Sequence, residues 1–508
     1  MTISPFATGP DRDQQVLADP PPAPTLSPPG RATPDRATPD RATPDRATPD
    51  RAAPDRATPD RASAVVRAVC TVAFWASLLF FVYLWVADGS LDKMFAKPEG
   101  PLSYPGKLAG LVSADLMIVQ VVLMARLPWI ERSFGRDRLV RIHRWTGFTS
   151  LNLMLAHIVL LMLGYMVRDG RTVLGSLWWM VADWRGMMLA ALGTVLLVMV
   201  GVTSSRAARR RLRYHTWHLL HLYTLLGIAL VVPHMIWTGS EFRPQWAQVL
   251  LVTLYALAVG CLLVFRLLVP LLRSARHRVV VDRVVEDAPG NVSVHLRGRD
   301  LERLGTQAGQ FFIWRFRDGR GWTRGNPYAL SAAPQADTLR ITAKEVGTNS
   351  RRLRGLRPGT PVLFEGPYGR FTSASGHGGR VTAMASGIGI TPVRALMEDL
   401  DYAPGEAVLI YRGSSEDDFV FRHELDELAR ERGVRVVYLP GHRPSGRTSW
   451  QAAPASEEDH VAIRSLVPDV CDGDVYICGP DAWAQSAAEA ARRAGVPNTH
   501  IHVERFAF

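Results

Sequence analysis

The sequence predicts a multidomain membrane protein: a six-helix transmembrane bundle, then a small antiparallel β-barrel, then an α/β domain built on a mainly parallel sheet. Three observations carry that prediction. Six apolar segments of membrane length fall between residues 64 and 272. Beyond residue 278 the pattern changes to short alternating strands with turn punctuation, and from residue 380 strands alternate with helices. The expected boundaries are 1–62 for a repeat tail, 63–272 for the membrane part, 273–374 for the barrel and 377–508 for the α/β part.

The tail is a different material from the rest. Arg-Ala-Thr-Pro-Asp recurs from Arg31 to about Asp60, with Ala53 replacing threonine in one copy. A proline in every unit cannot hold a helix, and no apolar face recurs, so an extended disordered segment is expected. It does not read as a signal peptide, because the first apolar run starts too far in and is long enough to span.

The six expected spans are 64–87, 107–125, 145–167, 186–203, 217–238 and 247–272. The net charge of +12 is mostly arginine placed between them. Arg126, Arg132, Arg136, Arg138, Arg141 and Arg144 fill the second connection; Arg206, Arg209, Arg210, Arg211 and Arg213 fill the fourth; Arg273, Arg276 and Arg278 follow the last span. By the positive-inside rule these segments are cytoplasmic, which puts the N-terminus and the soluble half inside a multi-pass protein of the cell membrane. The lipid bilayer thus accounts for the basic balance. No aromatic-rich basic surface accompanies it, so nucleic acid is not an expected partner. The cysteines are Cys70, Cys261, Cys471 and Cys478, without the four-cysteine cluster of an iron–sulfur or structural zinc site, and no disulfide framework is implied.

Four histidines stand in or beside the spans in two pairs, His143 with His157 and His221 with His234. Spacings of fourteen and thirteen residues amount to about 21 and 20 Å of helix rise, so two neighbouring helices hold two imidazole pairs at matched depths. One pair alone reads as hydrogen-bonded side chains within a bundle. Two pairs of nearly equal spacing point to metal ligation, and imidazole is a standard axial ligand of haem iron. The expectation is two b-type haems, an inner one on His143 and His221 and an outer one on His157 and His234. Fourteen residues return to within about 40° of the starting face, whereas thirteen leave a mismatch of about 140°. Pro233 offers a kink that corrects the angle, and His215 and His218 are alternatives for the inner position. Arg185 is either a partner for a haem propionate or an interfacial anchor; Asp115 has no assigned role.

In the soluble half, strands are expected at 278–285, 292–296 and 310–316, with a turn at Ala288 to Asn291. The α/β part is expected to run through strands at 380–385, 407–411, 435–439 and 474–478, with a helix after Thr391 and another at 421–432. Its junctions carry chemistry. Gly387 and Gly389 let backbone approach a pyrophosphate, Thr391 caps the next helix and Pro392 suits its first position. Cys478, Gly479 and Pro480 end a later strand, where a ligand crevice is expected; taken alone, Cys478 reads as a small core residue.

The order of these residues resembles the ferredoxin–NADP reductase superfamily joined to a ferric-reductase-like transmembrane domain, as in NADPH oxidases and ferric reductases, over about residues 64–508. Asn326, Pro327, Tyr328, Ala329, Leu330 and Ser331 resemble the flavin-stacking motif, which implies that Tyr328 lies against the isoalloxazine ring. Gly347, Thr348, Asn349 and Ser350 resemble the segment whose backbone amides hold the FAD pyrophosphate, and Lys344 joins this implied cofactor set. Glu365, Gly366, Pro367, Tyr368 and Gly369 resemble the link into the Rossmann-like nucleotide domain. The glycine turn, the Cys478 to Pro480 corner and the stretch from Glu504 to Phe508 resemble the pyridine-nucleotide site, with Cys478 and Phe508 as implied catalytic residues and Phe506 or Phe508 covering the flavin. Asn326 stands where the family usually has arginine or histidine, and Ala329 where it often has serine or threonine.

A nicotinamide delivers two electrons as hydride, haem iron accepts one, and a flavin handles both. The expected function is therefore electron transfer from cytoplasmic NADPH or NADH through FAD and two haems to an acceptor outside: a ferric complex, oxygen or a redox protein. A haem-binding docking module serving a partner redox protein is the alternative, against which the flavin and nucleotide motifs argue. Arg412, followed by Ser414 and Ser415, is the candidate for a 2′-phosphate and makes NADPH the expected donor, although Glu416, Asp417 and Asp418 follow closely.

Overall fold

The computed structural model describes residues 59–212, 214–319, 322–442, 449–453 and 457–506. The repeat tail lies outside the described residues apart from its last few positions. From Pro59 to His277 the described residues are mainly helical: α1 (Pro59–Ala87), α2 (Ser90–Ala96), α3 (Gly100–Met124), α4 (Pro128–Phe134), α5 (Arg136–Asp169), α6 (Val173–Asp183), α7 (Met187–Thr203), α8 (Arg206–Arg211), α9 (Tyr214–Thr238) and α10 (Gln245–Leu263), which continues through a π turn into α11 (Val269–His277).

Five of these stretches are long and apolar enough to cross a membrane, not the expected six. The fourth expected span is α7, only 17 residues long, and it meets α6 at a 115° bend. The break has a local cause. Asp183 and Arg185 interrupt the apolar run, and Gly186 adopts φ +80, a left-handed conformation that suits glycine. The bent pair brings the number to six if taken as one span. The third span starts earlier than expected: α5 opens at Arg136, so His143 lies within the helix. At its far end Gly170 closes it in a left-handed cap.

Helix α5 packs along α3, and α9 along α7. Glycine makes the second crossing close: a Cβ on Gly193 would stand 2.7 Å from the Gly227 carbonyl oxygen. Helix α3 is the most enclosed, with Leu111, Ala114, Leu116, Met117 and Ile118 buried. By contrast α1 exposes Val65, Val69, Val72, Trp75 and Leu79, a face that water disfavours and lipid accepts.

The soluble half begins with β1 (Val280–Ala288), β2 (Asn291–Arg297), β3 (Phe311–Phe316), β4 (Asn326–Ala329), β5 (Thr338–Lys344), the short α12 (Thr348–Arg352) and β6 (Val362–Tyr368). In place of one continuous barrel sheet these form two three-stranded antiparallel sheets, β1-β2-β5 and β4-β3-β6. Isolated bridges at Val280–Pro361 and Leu330–Ile341 join them around one core containing Val294, Leu296, Phe312, Trp314 and Phe364.

The last part alternates as expected: β7 (Val381–Ser386), α13 (Ile390–Asp399), β8 (Ala407–Gly413), α14 (Arg422–Arg432), β9 (Arg435–Pro440), α15 (Asp459–Leu466), β10 (Asp474–Pro480), α16 (Asp481–Arg493) and β11 (Ile501–Phe506). All five strands are parallel in the order β11-β10-β7-β8-β9. Parallel strands need both faces covered, and two separate apolar clusters accordingly form on this sheet. The strand order reverses between β7 and β10, which opens a crevice at their carboxyl ends.

Candidate functional site

The flavin-like motifs meet in one place. A cavity of about 750 Å³ is lined by Asn326, Pro327, Tyr328 and Ala329 from β4, by Lys344 at the end of β5, and by Gly347, Thr348, Asn349 and Ser350 around α12. The two motifs are tied together across it, Asn349 Nδ2 donating to Asn326 Oδ1 at 3.1 Å. Ser350 shapes its own turn: its Oγ accepts the backbone N–H of Gly347 at 3.0 Å and of Val346 at 3.1 Å. Tyr328 is half-buried against the barrel core, and burial pushes its phenol up to about 12, so the ring stays neutral.

A second cavity of about 330 Å³ adjoins the first, sharing Lys344 and Ile388 with it. Gly387, Arg412, Ser414, Asp418, His442 and Pro480 are among its lining residues, at and beyond the carboxyl ends of the parallel strands. Arg412 is buried, and donates to the carbonyl oxygens of Gln451 at 3.2 Å and Gly441 at 3.1 Å. Two of the three acidic neighbours are ion-paired, Glu416 with Arg422 at 2.7 Å and Asp418 with Lys344, itself on the cavity wall, at 3.6 Å.

Other expected residues shape these cavities from behind. Gly389 is buried, and a Cβ there would stand 2.3 Å from the Cys478 carbonyl oxygen. At Gly479 a Cβ would meet the Trp483 ring at 2.8 Å. Thr391 lines the first cavity and donates to the Ile388 carbonyl oxygen at 2.9 Å, while Pro392 is buried in the first turn of α13. Cys478 is 0% exposed in the sheet core, where burial pushes its thiol well above its usual value. Ser331 also lies away from the cavity: fully buried, it accepts from Arg340 Nε at 3.1 Å and from Thr342 at 2.8 Å. Arg340 also grips Glu424 of α14, so this serine belongs to the join between the two soluble parts. Phe508 lies outside the described residues, as does the side chain of Phe506.

In the helical half, the His143 and His221 rings come together with centroids 6.1 Å apart. Two metal–imidazole bonds of about 2 Å each put ring centres about 6 Å apart, so this pair suits one ion held between two helices. All four have Nδ1 occupied: His143 on the Gln120 carbonyl oxygen at 3.2 Å, His157 on the Gly106 carbonyl oxygen at 2.8 Å, His221 on Ser204 Oγ at 3.3 Å and His234 on Thr238 Oγ1 at 2.7 Å. That arrangement leaves Nε2 of each ring as the ligand atom. A Cβ on Gly110 would stand 2.5 Å from His157 Nδ1, so glycine there keeps room for the ring. His218 sits beside Trp217, and the His215 side chain lies outside the described residues. Arg185 stands over the Trp237 ring, within one turn of His234.

Two features escaped sequence reasoning. Thr216, near the start of α9, lines the flavin-like cavity, so the helix that carries His221 reaches it directly. The segment from Glu365 to Tyr368, read as a link between soluble parts, also docks the helical half. Buried Glu365 pairs with Arg126 at 3.1 Å and Arg315 at 2.5 Å, Arg126 stands 4.8 Å over the Tyr368 ring, and Arg273 donates to the Gly366 carbonyl oxygen at 2.7 Å.

Residues 109–232 match the family described as ferric reductase like transmembrane component, and residues 384–489 match the oxidoreductase NAD-binding domain. The chain is 31% identical over 189 residues to ferredoxin–NADP reductase B of Sorangium cellulosum, covering 35% of this chain and 77% of that protein. It is 28% identical over 210 residues to the ferredoxin reductase component of 3-ketosteroid-9-alpha-monooxygenase from Mycolicibacterium smegmatis, covering 40% of this chain and 57% of that protein. With the plasma membrane-associated coenzyme Q6 reductase of Saccharomyces cerevisiae it shares 27% over 201 residues, 38% of this chain and 64% of that protein. The chain thus spans less than two thirds of the length of the latter two relatives.

Proposed function

We propose a function from the premise that the chain belongs to the ferredoxin–NADP reductase family and carries a ferric-reductase-like transmembrane component ahead of that module. It is an oxidoreductase that takes electrons from NAD(P)H on the cytoplasmic side and passes them across the membrane to a ferric complex or oxygen. The observation that carries this reading is Thr216: one helix both lines the cavity of Tyr328 and bears His221 and His234. Thr216 and His221 are five positions apart, about 7.5 Å along the axis, so the cavity and the first histidine pair are neighbours.

FAD fits the larger cavity, whose volume lies in the range of cofactor clefts. When bound, it exchanges a hydride with a nicotinamide and single electrons with haem iron. Tyr328 supplies an aromatic wall for the ring system, and the Asn326–Asn349 contact holds the two cofactor segments at fixed separation. Lys344, oriented by Asp418 and facing both cavities, brings positive charge to the phosphates. Gly387, at φ +54 with no atom of the described residues near a notional Cβ, keeps the crevice open for a pyrophosphate, and Pro480 bounds its other side. Arg412 meets a 2′-phosphate there, favouring NADPH.

His143 and His221 would hold the inner haem iron, and His157 and His234 the outer one. In each case the partner on Nδ1 would leave Nε2 to ligate the iron. The test is composition of the purified full chain: one FAD and two haems per polypeptide. His157→Leu or His234→Leu should leave one haem, with the inner site intact. A wild-type chain purified without haem after expression in haem-replete cells, or variants that keep both haems, would contradict the assignment.

A further inference from the structure

Three histidines converge on one buried carboxylate at the amino ends of the parallel strands, the opposite edge of the sheet from the glycine turn. Asp474 opens β10, His500 and His502 flank the start of β11, and His377 lies in the segment leading to β7. Asp474 is 2% exposed. Its Oδ1 lies 3.0 Å from His377 Nδ1, 3.0 Å from His502 Nε2 and 3.6 Å from His500 Nδ1, and its Oδ2 accepts the His377 backbone N–H at 2.6 Å. The His377 and His500 rings are stacked at 3.9 Å.

Hydrogen bonding alone leaves this group incomplete. His500 Nδ1 is buried, at 3.6 Å it is beyond a normal hydrogen bond to the carboxylate, and it has no hydrogen-bond partner among the described residues. A ligand atom on His377, Asp474 and His500 all lie within 4.8 Å of one another. Around a tetrahedral ion with bonds of about 2.0–2.1 Å, ligand atoms stand about 3.4 Å apart, a value that the observed 3.0 and 3.6 Å bracket.

We propose that His377, Asp474 and His500 form a binding site for a divalent cation of the zinc class, with His502 Nε2 holding the same Asp474 oxygen at 3.0 Å. Two imidazoles and one carboxylate select zinc, nickel or cobalt over magnesium or calcium, which prefer all-oxygen sites. The half-exposed His377 marks the entry side and leaves a fourth position for water. Binding requires the two stacked rings to splay, so that both nitrogens aim at one ion. His377 is placed for that movement, flanked by Gly376 on one side and by Gly378 and Gly379 at φ +83 and +88 on the other. The ion clips the segment before β7 onto β10 and β11 and so stabilises the nucleotide-binding part. None of these residues lines either cavity, and the inference stands independently of the electron-transfer reading.

The experiment uses the full chain without a polyhistidine tag, stripped with a chelator and titrated with Zn²⁺ against a chromophoric competitor, with elemental analysis after dialysis. One tightly held Zn²⁺ per wild-type chain is expected, together with a rise in Tm on its addition. His377→Ala should weaken binding at least about tenfold and abolish the Tm rise. His377→Gln, which keeps the side-chain bulk and removes the imidazole, should behave the same way. His500→Ala should match them, because it removes the second nitrogen from inside the fold. Failure of the wild type to hold Zn²⁺ at micromolar concentration, or unchanged stoichiometry and affinity in the His377 variants, would overturn the proposal.

Discussion

Arg126→Ala separates the two halves of the proposed electron path without touching either cofactor site. Arg126 follows α3, and its guanidinium reaches Glu365 of β6 at 3.1 Å and stands 4.8 Å over the Tyr368 ring. Losing one charged hydrogen-bond partner at a buried carboxylate costs about 1.5–3 kcal/mol, the lower end applying here because Arg315 stays on Glu365. Losing the cation–π contact adds about 0.5–1 kcal/mol. The loss of about 2–2.5 kcal/mol corresponds to roughly 30- to 70-fold in the equilibrium between docked and undocked arrangements. Continuity of the chain from α11 into β1, and the Arg273 contact to Gly366, keep the soluble half tethered nearby. In anaerobic stopped-flow mixing with NADPH, flavin bleaching in the variant should stay within about twofold of wild type, while haem reduction slows at least about tenfold. Equal haem reduction in variant and wild type would refute the idea that this clasp sets the alignment of the flavin cavity with α9.

Tyr328→Ala should weaken FAD binding by about 0.5–1.5 kcal/mol from the lost aromatic stack alone, roughly 2- to 13-fold, read as flavin occupancy at limiting FAD. Arg412→Ala should shift the ratio of kcat/KM values for NADPH and NADH toward NADH; an unchanged ratio would assign the buried arginine to the Gln451 and Gly441 carbonyl oxygens alone. Cys478 has its thiol pKa raised by burial, so it stays protonated below its usual value and well beyond it. The folded protein should therefore resist iodoacetamide at this position at about pH 8, where a free thiol begins to ionise, and lose that protection in denaturant.

Much of the architecture was readable because its signals are local. The change from membrane-length apolar runs to period-two strands and then to strand–helix alternation marks the three folded parts, and Asn326–Ala329 and Gly347–Ser350 do line one cavity. What was not readable depends on contacts between distant segments. Ser331 belongs to the same motif as Tyr328, but it lies beyond β4 and is drawn into the core by Arg340 and Thr342. The 115° bend before α7 lies between two apolar stretches, with Asp183, Arg185 and Gly186 as its only local trace, and these give no angle. Thr216 has no motif of its own; it reaches the cavity because Arg126 and Glu365, 239 residues apart, dock the two halves. The His377, Asp474 and His500 group is likewise assembled by the parallel register of β7, β10 and β11, so a search for closely spaced cysteines had no reason to find it.

The central claim is that one chain connects a nicotinamide site to haem iron through a flavin. Its most direct test is an anaerobic absorption spectrum of the purified full chain, recorded as NADPH is added in substoichiometric steps. Loss of the oxidised flavin band together with growth of the sharp α-band of a reduced b-type haem is the expected result, with both bands reversing when oxygen or a ferric chelate is admitted. A chain with full flavin and haem content, whose flavin bleaches while the haem bands stay oxidised, would contradict it.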